Sequence, residues 1–326
     1  MTDQAVVPVI DQSSPAVIAQ HMRDYATKAT SARTQAIYRS ALADFRDFCA
    51  KYKLSALPAT PDTVSGYIAF LAQSGMKTST LNVRVSAIAK AHRLAKHPDP
   101  TDDEGFKAVF AGIRRAHGTA PHKKAPITLD VLKTLIGHLP DSPAGIRDRA
   151  LLLVDYGGVF RRSELAALNV QDVSIKGNHM TIVVRRGKTD QEGHGLTKHF
   201  PMLKNEDLCP LRATLAWLEL SGLTTGPLFV SINKWGDLSD RRLSDHAINA
   251  VIKAAVRRAG LAADDYAGHS MRSGGITEML QADVSQFKVM DQSGHRDVNT
   301  LRGYDRDAGT GATEAVRAAF GEKKRT

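Results

Sequence analysis

The sequence predicts a mainly helical protein with a small antiparallel β-sheet, built as two domains, and three observations carry that expectation. Apolar residues recur at helical spacing through the first 118 residues. The stretch from Gly118 to Pro126 then combines two prolines, a glycine and two lysines with no periodicity, the signature of a linker. Beyond residue 170 the pattern changes to short β-prone segments before helices resume. The expected layout is a flexible tail at 1–15, a helical domain at 16–118, a linker at 119–127 and a second domain at 128–326.

In the first domain, residues 31–51 place Ile37, Ala41, Phe45 and Phe48 on one stripe, with Arg33, Arg39 and Arg46 mostly off it. Thr60-Pro61 is a cap followed by first-turn proline, and Val64, Tyr67, Ile68 and Leu71 then repeat at i, i+3, i+4, i+7. From Lys77 a third helix turns Leu81, Val85, Ile88 and His92 inward and leaves Arg84, Lys90 and Arg93 outside. A fourth runs over 102–117 and ends in Arg114-Arg115. In the second domain, helices are expected at 128–139 and 143–156, leading to Gly157-Gly158, and from Arg161 to about Asn169. Strands follow at 170–175, 180–186 and 196–202, the last two joined by a glycine-rich hairpin loop at 187–195. Further helices are expected at 207–221, 240–259, 270–281, 284–292, 296–304 and 311–320.

A chain of 326 residues with 42% hydrophobic composition has length enough for two cores. Its net charge of +10 is shared, with 15 Lys and Arg against 10 Asp and Glu in 1–120 and 29 against 24 thereafter. Basicity spread over both halves suits two domains that each touch a polyanion. Cys49 and Cys209, far apart and without ligand spacing, indicate neither a disulfide framework nor a zinc site and read as buried thiols. The N-terminus lacks a basic signal region and no apolar run approaches the roughly 20 residues of a membrane span, so the expected location is cytoplasmic.

The chemistry concentrates near the C-terminus, where His269-Ser-Met-Arg272, Gly294-His295 and Tyr304 follow one another. A phosphodiester repels nucleophiles, so attack by a tyrosine needs cations for the oxygens, an acceptor for the phenolic proton and an acid for the leaving alkoxide. Arg161, at a turn after the double glycine, could join Arg272 in holding two phosphate oxygens, or could be a surface arginine paired with Glu164. His269 and Arg272, three apart at a helix start, share a face, and the flanking Gly268, Gly274 and Gly275 allow close approach of a backbone or a DNA strand. Lys188 in the hairpin loop could reach a leaving oxygen, or could be an ordinary exposed lysine. A helix over 296–304 would separate His295 from Tyr304 by about 13 Å of rise unless the fold returns both to one cleft.

In order and spacing, Gly158-x-x-Arg161-x-Ser-Glu-Leu, Lys188, His269-x-x-Arg272, Gly294-His295 and Tyr304 resemble the signature of the tyrosine recombinase (phage integrase) family, and most closely its simple Cre-like members. The helical first domain resembles that family's core-binding domain, and the resemblance implies a clamp around DNA formed with an α+β catalytic domain. One departure is His295, where Cre-like relatives often carry Trp, although histidine is common in the wider family.

The resemblance implies that Tyr304 attacks the scissile phosphate to give a 3′-phosphotyrosyl link and a free 5′-hydroxyl, with Arg161, Arg272 and His295 on the phosphate. It implies His269 as proton acceptor or phosphate ligand, Lys188 as acid and Glu164 as support for Arg161. No cofactor or metal is implied, in keeping with the lack of a nucleotide-binding motif. The implied partners are double-stranded DNA with inverted-repeat half-sites and further copies of the chain, as dimer and tetramer on DNA. Exchange of the helix at 311–320 between copies is expected, with docking in cis as the alternative. The short N-terminal tail favours simple sites over complexes that need an additional DNA-binding domain. Arg33, Arg39, Lys77, Arg84, Arg114, Arg115, Lys123 and Lys124 are the expected DNA-facing cations. His246 stands where Cre-like relatives carry a guanine-reading arginine, and is either a base reader or a solvated first-turn residue. Two rivals share the chemistry or the fold: a type IB topoisomerase, which reseals a strand to itself, and a catalytically silent DNA-binding regulator.

Overall fold

The structure is a computed structural model that describes residues 17, 19–22, 30–118, 124–185, 195–282 and 284–304. The chain divides into two compact units, 1–122 and 123–326. The expected tail at 1–15, Lys123, Lys188 and the helix at 311–320 lie outside the described residues.

The first unit contains four helices, α1 (Ala32–Lys51), α2 (Pro61–Gln73), α3 (Thr78–Leu94) and α4 (Glu104–His117). Ser31, Thr60 and Asp103 cap α1, α2 and α4 by accepting a first-turn backbone N–H, each bond contributing about 1 kcal/mol. α1 packs on α3 and α2 on α4 around Phe45, Cys49, Val64, Tyr67, Ile68, Leu81, Ile88 and Phe106. The stripe on α1 runs through Ala41, Phe45 and Cys49, whereas Ile37, expected inside, is exposed. At 3.6 residues per turn the buried face drifts, and Ile37 lies past its edge. His92 is buried as expected, its Nε2 accepting from the Ala59 N–H.

Arg84 departs from expectation. It turns inward to an ion pair with Asp44 at 2.6 Å and donates to the Tyr67 hydroxyl at 2.9 Å, which removes it from the outer face. Arg33, Arg39, Lys77, Arg114 and Arg115 are exposed.

The second unit opens with α5 (Leu129–Gly137) and α6 (Pro143–Gly158). α6 runs through the double glycine instead of ending before it, and Gly158 makes room for the Phe160 and Phe200 rings, which a Cβ there would meet. Val159 closes it in the left-handed conformation, φ 44°. α7 (Arg162–Ala167) and a 3-10 turn (Val170–Asp172) lead into β1 (Val173–Lys176), β2 (His179–Val184) and β3 (Leu196–Pro201), an antiparallel sheet in the order β1-β2-β3. The strand expected from 170 begins later, since Val170–Asp172 forms the 3-10 turn closed by the Asp172 carboxylate on the Asn169 N–H.

α8 (Pro210–Ser221) packs across α6, and Trp217, fully buried, donates its indole N–H to the Leu228 carbonyl. A second hairpin, β4 (Val230–Ile232) and β5 (Leu238–Arg242), was not expected. Residues 240–242 thus belong to a strand, and α9 (Asp245–Arg258) starts at the Ser244 cap. α10 (Gly268–Gln281) packs on α6, followed by α11 (Gln286–Ser293) and a short α12 (Val298–Arg302). The core of this unit lies between α6, α8, α9 and the three-stranded sheet, and a satellite cluster of Val159, Ile276, Val289 and Leu301 lies under Tyr304. Among the described residues no helix is long and apolar enough to cross a membrane.

Candidate active site

The site forms where the N-terminus of α10, the turn after α6 and the ends of α11 and α12 meet. Gly274 and Gly275 allow it, since a Cβ at Gly274 would lie 1.7 Å from the Ile127 carbonyl oxygen and one at Gly275 would lie 2.5 Å from that of Tyr156. The chain's own backbone therefore makes the close approach at these two glycines. Gly268 is filled in the same way by the Arg162 side chain.

Arg272, 1% exposed, is held from two sides: Nη1 donates to the Val159 carbonyl and Nη2 to that of Ser293 at 2.8 Å. Nη2 also lies 3.0 Å from His295 Nε2. A guanidinium only donates, so Nε2 accepts, and the His295 proton sits on Nδ1, 2.8 Å from Ser293 Oγ. Burial, then Arg272 and Arg161, push His295 down to about 4, which keeps it neutral near pH 7. Burial and then Arg161 also lower Arg272, but an arginine retains its charge.

Tyr304 Oη lies 3.1 Å from His269 Nε2. The ring of Tyr304 is 5.9 Å from that of His269 and 5.7 Å from that of His295. Although His269 is exposed, the part of the ring turned into the site is desolvated, and this, then Arg272 and Arg161, lowers its pKa, so a neutral imidazole faces the phenol. The separation expected from a helix over 296–304 does not arise. α12 holds only five residues, with Asp297 capping its start and a turn at Gly303 bringing Tyr304 back over the satellite core.

Arg161 is half-buried and its Nη1 meets Glu164 Oε1 at 2.6 Å, while Glu164 Oε2 accepts the Arg161 backbone N–H at 3.0 Å. The two readings of Arg161 therefore combine: the Glu164 pair is present, and it fixes the guanidinium beside the site, where a Cβ on Gly294 would lie 4.0 Å from Nη1. Gly294 itself adopts φ 69° at the end of α11, a turn that favours glycine.

Five of the six expected catalytic positions, Arg161, His269, Arg272, His295 and Tyr304, thus converge, with Glu164 behind Arg161. Three participants went unnoticed in the sequence. Ser293 orients His295, Thr277 Oγ1 donates to the Tyr304 carbonyl, and Lys198, fully buried on β3, donates to the Gln292 carbonyl. Each acts through the backbone or a neighbour's ring, and only a signal of burial at a polar residue could have pointed to them. Elsewhere, His246 projects from the first turn of α9 with its side chain 82% exposed, and Lys124 Nζ donates to the Asp264 carbonyl.

A family model described as "Phage integrase family" matches residues 126–309, and one described as "Phage integrase, N-terminal SAM-like domain" matches 18–98. An integrase/recombinase xerD homolog from Selenomonas ruminantium is 32% identical over 282 residues, 85% of this chain and 82% of that one. Recombinase cre of Escherichia phage P1 is 27% identical over 277 residues, 78% and 79% of the two chains. Among solved structures, a lambda integrase dimer bound to a COC′ core site matches with a TM-score of 0.60 at 16% identity, covering 90% of this chain and 95% of that one. The Tn1549 transposon integrase in complex with transposon right end DNA matches with a TM-score of 0.64 at 12% identity, covering 92% and 97%. At such identities these two structures speak to the fold alone. With the family model spanning the whole second unit's machinery and the tyrosine, histidines and arginines gathered as described, the chain belongs to the phage integrase family and is a tyrosine-type site-specific recombinase that cleaves and rejoins DNA.

Proposed function

We propose that Tyr304 is the nucleophile of this recombinase and that Arg161, His269, Arg272 and His295 form its phosphate-binding and proton-handling shell. The observation that carries the assignment is the 3.1 Å approach of Tyr304 Oη to a neutral His269 Nε2, beside the bonded pair of Arg272 and His295. The phenolic proton passes to His269 Nε2 as the tyrosine oxygen bonds to phosphorus and the bond to the 5′-oxygen breaks. Arg161 and Arg272 stabilise the charge on the phosphorane. His295 Nε2 is an acceptor in the DNA-free site, so donation to a phosphate oxygen requires a proton there, which the arriving anion favours. Lys188, in the loop between β2 and β3, supplies the proton to the leaving 5′-oxygen. The phosphotyrosyl bond conserves the energy of the original ester, and attack by a partner 5′-hydroxyl reverses the step.

The same reading takes inverted-repeat half-sites as the substrate and a tetramer of chains on two duplexes as the working assembly, with the helix at 311–320 exchanged between neighbours. The segment before Ala125, whose N–H already bonds to Asp265 of the second unit, joins a DNA-binding first domain to the catalytic one, so that both reach one duplex. The exposed Arg33, Arg39, Lys77, Arg114 and Arg115 support a cationic role for the first domain. Tyr304→Phe tests the core of the proposal: half-site binding persists and no covalent DNA adduct forms on a nicked substrate. An adduct on the Phe variant would place the nucleophile at another tyrosine.

A further inference from the structure

Lys198 sits on β3 with its side chain fully buried, an unusual place for an ammonium. Its Nζ donates to the carbonyl of Gln292 and lies 4.8 Å from the centre of the Phe160 ring. Gln292 belongs to the last turn of α11, where carbonyls lack helical partners and the helix dipole is negative, so a cation is favoured at that point. The Gln292 side chain in turn donates to the Gly157 carbonyl at 3.0 Å, fastening α11 to α6. The next residue, Ser293, presents its carbonyl to Arg272 Nη2 and its hydroxyl to His295 Nδ1. The anchor of Lys198 is therefore the immediate neighbour of the residue that orients Arg272 and His295.

We propose that Lys198 is a positioning residue: its ammonium pins the C-terminal turn of α11 to β3 and thereby fixes the Arg272–Ser293–His295 arrangement that receives the phosphate. The inference rests on the assignment of Arg272 and His295 to that phosphate. It adds a mechanical link, because β3 is also one arm of the hairpin whose loop carries Lys188. The pin joins β3 to the end of α11 whose Ser293 holds Arg272 through its carbonyl and His295 through its hydroxyl. Lys198 does not itself touch DNA in this arrangement, since its ammonium is enclosed by Phe160 and the α11 turn.

The groups facing Lys198 support the role. Desolvation lowers its pKa to about 7, Glu164 and Asp155 oppose that shift, and Arg272 and Arg161 add to it. His295 senses Lys198 as one of the cations that depress its own pKa. Whether charged or neutral, the amine donates to the Gln292 carbonyl, and an apolar residue in its place would leave that buried acceptor without its donor.

The test uses the full chain with Lys198→Met, which keeps the length and loses the donor, and Lys198→Arg, which keeps a charge that does not titrate. Three readouts are taken: half-site binding, cleavage of ordinary and bridging 5′-phosphorothiolate DNA, and 15N signals of His295 between pH 6 and 9. Lys198→Met is expected to bind a half-site within about threefold of the parent while cleavage of both substrates falls on the order of 10²-fold. Lys198→Arg is expected to recover a large part of that loss. In the parent, His295 should show a step near pH 7 that disappears in either variant. Restoration of Lys198→Met by the thiolate would identify Lys198 as the proton donor and overturn the positioning role. Cleavage by Lys198→Met within threefold of the parent would overturn it as well. Should Lys198→Met fail to fold, the Lys198→Arg cleavage rates decide: a loss on ordinary DNA that the thiolate repairs in that variant would overturn the positioning role. Arg272→Ala and His295→Ala run alongside, and if neither impairs cleavage the phosphate assignment itself fails, whatever Lys198 does.

Discussion

Thr277 Oγ1 donates a hydrogen bond to the backbone carbonyl of Tyr304 across 3.1 Å, tying the main chain of the proposed nucleophile to the helix that carries His269 and Arg272. Thr277 lies five residues beyond Arg272 on α10, about one and a half turns, so one rigid element sets the position of His269, Arg272 and Tyr304 together. Thr277→Val, nearly isosteric, should preserve folding and half-site binding while slowing cleavage about tenfold, the size expected for losing one hydrogen bond of ~1.4 kcal/mol. Single-turnover cleavage of a nicked substrate measures this, and an unchanged rate would free Tyr304 of any dependence on Thr277.

Stability should depend on pH through the buried groups beneath the site, with opposing signs. Lys198 titrates near 7 in the folded chain against 10.5 for an ordinary lysine, so the unfolded chain binds the extra proton between those values and stability rises with pH across that window. His295 has the same sign lower down, between about 4 and its ordinary 6.5. Asp155 has the opposite sign. Complete burial raises its pKa well above 3.8, so the folded chain keeps a proton the unfolded chain has lost, and stability falls as pH rises through the folded value. Neither of its carboxyl oxygens has a hydrogen-bond partner among the described residues. Denaturant unfolding at pH 7 to 10 should show the rise for the parent and a flatter profile for Lys198→Met. Asp155→Asn should exceed the parent in stability at pH 9 and match it near pH 4; equal curves at both would refute the ionisation cost.

On the reading of His246 as a base reader, His246→Ala should alter base preference at one or two symmetric positions in each half-site, since its exposed imidazole stands at the capped start of α9 and an imidazole can make one groove hydrogen bond. The salt dependence of binding, set by phosphate contacts, should barely change. Selection from a randomised site library compares the two proteins, and identical preferences would leave His246 with no reading role.

On the proposed exchange of the segment 311–320, truncation after Gly309 should leave half-site binding nearly intact while cooperative pairing and recombination fail, since Ala312, Val316, Ala319 and Phe320, which recur in the sequence at helical spacing, are removed. Gel shifts on half and full sites separate the outcomes. Equal loss of half-site affinity would mean that the segment packs on its own chain.

Much of this was legible in the sequence because the informative features were local. The capped helices of the first unit and the ordered residues Arg161, His269, Arg272, His295 and Tyr304 announce themselves through spacing and residue type. What stayed hidden depends on partners far along the chain. Arg84 has the composition of a surface cation, and only Asp44 and Tyr67, brought in from α1 and α2, turn it inward. The β4–β5 hairpin pairs strands of three and five residues, too short for alternation to register. Arg242 stabilises it by reaching back to the carbonyls of Ala166 and Leu168, contacts 76 and 74 residues away. The short α12 was overestimated because Gly303 and Tyr304 continue a plausible helical pattern that the satellite core interrupts.

The polar groups that brace the site are aimed at main-chain oxygens: Arg272 at Val159 and Ser293, Lys198 at Gln292, Thr277 at Tyr304. A carbonyl is present whatever side chain its residue bears, so half of each contact is immune to point substitution. Alanine scanning will therefore register the donors and pass silently over Gln292 and Val159 as acceptors, and the wiring of the site will look sparser than it is. Backbone amide-to-ester replacement, which weakens a chosen carbonyl as an acceptor, is the perturbation that can make that hidden half visible.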